Sequence, residues 1–96
     1  MDLFFAAEEA VCEAVPAAVR RHRSVGVLTW RLIHQIEAEV FADVASTGKH
    51  NKRILGMLRA PAVLNYPNDD EPVSFAKSTI IPIVFCEIEK VWQRLN

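Results

Sequence analysis

His34 and Glu37 stand three positions apart in a strongly periodic stretch, a spacing at which two side chains of one helix reach a common metal ion. They supply two ligands where a structural site takes four. No second pair follows, His22 and His50 fall on separate segments, and Cys12 and Cys86 are unpaired. The expectation is a hydrogen-bonded or exposed histidine and no metal. Ser46-Thr47-Gly48-Lys49-His50 shares only its Gly-Lys with a phosphate-binding loop, because the earlier glycine and the following Ser or Thr are absent. Ser24, Ser46, Ser74, Ser78, Cys12 and Cys86 have no neighbouring base of the kind that activates a nucleophile, and Glu37 and Glu39 point to different sides of one helix. The chain therefore reads as a non-enzyme without a cofactor.

A different chemistry is written into Lys49, His50, Asn51, Lys52 and Arg53. Lysine and arginine neutralise phosphates, and asparagine can read adenine, so these types suit a nucleic-acid contact. They follow a helical run and a turn containing Gly48, the order of a helix-turn-helix. The spacing differs from the common form, in which a small residue precedes the turn glycine by four: Ala45 precedes Gly48 by three and Ala42 by six. A second basic group, Arg20, Arg21, His22 and Arg23, joins that footprint, pairs with acidic patches of a neighbour or another subunit, or is simply a helix end whose cations the macrodipole favours, the last being the preferred reading.

The elements that must position these groups come from periodicity. Phe4, Ala7, Val11, Ala14 and Ala18 mark a first helix after Asp2, with an alanine-rich face suited to close packing, and Pro16 predicts a kink or a stop near Ala14. The stretch from Val25 to Arg59 is the part around which the rest is expected to pack. Within it Val25, Leu28, Leu32, Ile36, Val40 and Val44 form one face of a helix from Val25 to Ala45, widened by Ile33 and Phe41, with Arg31, Gln35, Glu39 and Asp43 opposite. Gly48 closes it, and a short helix from Lys49 to Arg59 places Ile54, Leu55 and Leu58 inward before Pro61.

The last third has two readings. One is a helix from Asp70 to the end, kinked at Pro82, with Val73, Ala76, Ile80, Val84, Ile88, Val91 and Leu95 in phase. The other is a hairpin near 63–76 around the acidic turn Asn68-Asp69-Asp70-Glu71, followed by a shorter helix from Pro82 to Asn96. The helix is the favoured reading. With the hairpin, the order of three helices, a hairpin and a helix resembles a winged-helix domain in element order, although the tip of its wing is acidic where a phosphate contact needs a cation.

Length and composition bound the rest. Ninety-six residues make one domain, 1–96, and 51% apolar residues with only 8% aromatic describe an aliphatic core. A net charge of −1 excludes a globally basic nucleic-acid binder. The uncharged run Ser78 to Cys86 is too short to span a bilayer, and the opening residues are not read as a secretory signal. The expected fold class is all-α, a compact bundle of about four helices, and the expected location is the cytoplasm. Trp30 and Phe41 flank the main face of the central helix, while Ile81, Phe85 and Trp92 form a second stripe on the last one. Two apolar flanks exceed what a small core needs, so these five residues are the expected partner interface. The function expected is non-catalytic protein association, as a homodimer or with a larger partner. The alternative is a DNA-binding regulator of helix-turn-helix or winged-helix type, reading through Lys49 to Arg53.

Overall fold

The computed structural model describes residues 3–58 and 83–95, and these fold as an all-α bundle. Four α-helices follow in order: α1 (Leu3–His22), α2 (Trp30–Ser46), α3 (Lys52–Leu58) and α4 (Ile83–Leu95), with a single 3-10 turn, Arg23–Val25, after α1. The hairpin considered at 63–76, the choice between hairpin and long helix, and Ile81 all lie outside the described residues.

The centre of the bundle is α1 and not the α2–α3 unit, because α1 packs more extensively against both α3 and α4 than α2 does. Its sequence explains why. Ala7, Val11, Val15, Ala18 and Val19 are buried, and the two alanines on that face let neighbouring helices approach closely. The helix neither stops at Ala14 nor restarts at Pro16; it runs unbroken for 20 residues with Pro16 inside. An interior proline costs about 3 kcal/mol through its missing amide and its crowding of the preceding turn. Val15 and Val19, both fully buried, each recover about 1.5–3 kcal/mol, which offsets that cost.

The start of α2 also differs from the periodic pattern. Gly26 takes φ +89°, a left-handed region that favours glycine, and the chain turns there before helical geometry resumes at Trp30. Thr29 caps the new helix by accepting the Leu32 amide on its hydroxyl at 3.2 Å. Val25 is consequently left outside and exposed, whereas Leu28, Leu32, Ile36, Val40 and Val44 form the buried face as expected, with Ile33 and Phe41. Replacing Thr29 with alanine is expected to cost about 1 kcal/mol, read as a lower midpoint in thermal or urea unfolding. No change would mean that tertiary packing alone sets where α2 begins.

At the other end the expected closure is present. Gly48 has φ +69° and donates its amide to the Ala45 carbonyl at 3.2 Å. The hydroxyls of Ser46 and Thr47 bond back to the carbonyls of Asp43 and Val44, so the last turn of α2 leaves few orphan acceptors. The short α3 begins three residues later than the basic run because Asn51 caps it, accepting the Arg53 amide at 2.8 Å. Leu55 is buried, with Ile54 and Leu58 packed against the core as their spacing predicts. Along α4, Val84, Phe85, Ile88, Val91 and Trp92 are all buried, so the two stripes read from the sequence merge into one broad inward face.

Candidate functional site

The basic run lies on the connection between α2 and α3. Lys49, Asn51, Lys52 and Arg53 are exposed and His50 is partly buried. Asn51 accepts the Arg53 amide on its side-chain oxygen, so the oxygen that a bidentate adenine contact would use is engaged at the helix start. The connection spans Thr47 to Asn51, longer than the three or four residues of the usual helix-turn-helix, and α3 is only seven residues long. Lys49, Lys52 and Arg53 make no ion pair among the described residues, so their charge faces solvent.

The other basic group is partly neutralised within the chain. Arg21 at the end of α1 reaches across to α2, its Nε 2.9 Å from Glu39 Oε1 and its Nη2 3.1 Å from Asp43 Oδ2. His22 adds Nε2 at 2.6 Å from the second oxygen of Glu39. An ionised carboxylate can only accept, so the histidine nitrogen donates. The hydrogen bonds to Asp43, then to Glu39, push the Arg21 guanidinium above its ordinary value. For Glu39, partial burial pushes upward, but the hydrogen bonds and charges of His22 and Arg21 together outweigh it and hold the carboxyl below its ordinary value. A carboxyl depressed in the folded state contributes stability above its unfolded value, and that contribution is lost as pH falls through the folded one. Unfolding midpoints should therefore drop on acidification through the carboxylate range, and Glu39→Gln should flatten that slope. An unchanged slope in the variant would assign the acid sensitivity to other carboxyls. Arg20 and Arg23 take no part in this cluster and remain exposed.

The residues expected to anchor a partner are placed differently. Trp30, Phe41, Phe85 and Trp92 are 9%, 3%, 0% and 5% exposed and belong to the core of the single chain. Phe85 lies 6.3 Å from the Trp30 ring and meets His34 edge-on at 5.6 Å. The physical reason is the number of helices sharing this core: α4 packs against both α1 and α2, which uses both apolar flanks and leaves neither over. His34 thus sits against an aromatic ring, and the described residues hold no group of three or more His, Cys, Asp or Glu placed for a metal. Burial, followed by the nearby charges of Glu87 and Glu8, pushes the Cys12 thiol up despite Lys90. That favours a protonated packing group over a thiolate.

Exposed apolar side chains occur elsewhere. Leu3 and Phe5, on the first turn of α1, are 68% and 56% exposed, and Val25, Val27 and Met57 are also out, as is Phe4, although its phase is that of the buried face. The sequence carried a signal for the first two: Leu3 and Phe5 fall on either side of the Phe4–Ala7–Val11 face, where a core stripe has no use for them. Among the described residues, no helix is long and apolar enough to cross a membrane. The chain belongs to the family described as Protein of unknown function (DUF2471), whose model matches residues 4–96. No curated protein and no solved structure matches it.

Proposed function

We propose that this family member acts non-catalytically by associating with protein, either a second copy of itself or a larger partner, in the cytoplasm. The observation that carries this reading is the exposure of Leu3 and Phe5 on α1 in a chain whose core already closes over both tryptophans. Large apolar groups left outside a filled core mark a surface that gains by being covered. The docking residues are then Leu3 and Phe5 in place of Trp30, Phe41, Phe85 and Trp92.

The test is the mass of the complexes a tagged chain forms in its own cells, compared between the parent and a Leu3→Ser/Phe5→Ser variant. Complexes heavier than the 10.8 kDa chain that fall to its single mass in the variant support the reading. A single-chain mass in both overturns it.

A second reading is favoured by the exposed cations at Lys49, Lys52 and Arg53, which make no ion pair among the described residues. If they bind duplex DNA, affinity should fall steeply with salt and be abolished by Lys52→Glu/Arg53→Glu. No retention on duplex DNA at low salt removes that reading.

A further inference from the structure

The outward side of α1 carries an ordered set of residues. Phe5, Glu9, Glu13 and Ala17 follow at intervals of four, Pro16 and Arg20 continue the same side, and Arg23 with Val25 lies just beyond the helix end. Phe5, Glu9, Glu13, Ala17, Arg20, Arg23 and Val25 are exposed. Glu9, Glu13, Arg20 and Arg23 make no ion pair among the described residues. The stripe therefore runs from apolar and acidic at one end, through small residues, to basic and apolar at the other. The macrodipole favours Arg20 in the last turn of α1, but it fades within a turn and the first turn holds no acidic residue, so it does not account for Glu9 and Glu13. It does not require that the charges share one stripe with small residues between them and an apolar side chain at each extremity.

Such a stripe is complementary to itself when reversed. We infer that two copies of this chain pair through antiparallel α1 helices about a two-fold axis level with Ala14 and Val15. This rests on the association reading above and names its partner. In that register Glu9 of each copy faces Arg20 of the other, so one charge pair is made twice. Glu13 lies against Pro16, where Pro16 and Ala17 let the helices approach, and Phe5 covers the segment at Ser24 and Val25. A parallel pair is disfavoured, because its two-fold would set Phe5 on Phe5, Glu9 on Glu9 and Arg20 on Arg20, like charge against like.

The experiment is sedimentation or light scattering of the purified full chain over a concentration series, for the parent, Glu9→Arg, Arg20→Glu and the double variant. The expected result is a dimer in the parent that weakens as salt is raised. Each single reversal should raise the dissociation constant by about tenfold or more, and the double should return it to within about threefold of the parent. Any harm to the α1 fold would accumulate in the double, since the two sites lie far apart on the helix and act independently, whereas a pairing effect cancels there. A double variant as weak as the singles, or singles that match the parent, overturns the pairing. A purified chain of single mass at every concentration overturns it too, and does so without touching the association reading, which is decided by the complexes formed in the cell.

Discussion

Truncating Phe85 to alanine lowers the stability of this domain by about 3–5 kcal/mol, the range for a large buried aromatic removed from a core. Phe85 is fully buried on α4, and its ring meets Trp30 and His34 of α2. The truncation removes apolar burial and leaves a void among groups held in place by three helices, which relax only in part. Domains of this size are stable by about 5–15 kcal/mol in all, so the loss is a large fraction of the whole. At about 4–8 °C per kcal/mol for a chain of this length, the thermal midpoint should fall by well over 10 °C. Urea unfolding followed by tryptophan fluorescence is the direct measurement, since Trp30 is the neighbour affected. A loss below about 1 kcal/mol would contradict the packing of α4 on α2.

Trp92→Ala is expected to have an effect of the same order, about 3–5 kcal/mol, and its dependence on concentration separates two roles. Trp92 is 5% exposed in the single chain. As a core residue its loss, measured relative to the parent, should be the same at protein concentrations about tenfold apart. An interface residue would instead show a deficit that changes with concentration, because association stabilises by mass action. Concentration-independent loss fits the structure; a deficit confined to high concentration would restore Trp92 to an interface.

Much of the local structure could be read in advance from the chain. The apolar spacing along Leu32 to Val44 and the polar residues opposite it belong to the helix now seen as α2, and Gly48 closes it with the left-handed conformation expected. Boundaries were less legible. Val25 is in phase with the α2 face yet lies outside it, because Gly26 and the Thr29 cap set the start and periodicity does not record a turn. Pro16 misleads for the opposite reason: its cost is local and visible, while the burial of Val15 and Val19 that offsets it depends on helices far away in sequence.

The candidate site divides along the same line. A basic group at Arg20 to Arg23 is plain in the sequence, but its partial neutralisation by Glu39 and Asp43 joins residues 17 to 22 positions apart. No local pattern foretells that. Leu3 and Phe5 stand off the core face by helical phase alone, whereas whether the larger aromatics Trp30, Phe85 and Trp92 lie inside or outside depends on the packing of other helices.

By itself the sequence determined that these segments are helices, which side of each is apolar, and where glycine must end one, because a helix repeats every three to four residues and those choices are settled between near neighbours. It also fixed the ordered charge along α1. Only the tertiary structure decided that α1 is the hub, that both flanks of α2 and α4 are spent inside, and that Leu3 and Phe5 at the start of α1 stay exposed. The physical reason is that an apolar face is buried or exposed according to how many other helices reach it, a quantity that no single segment contains.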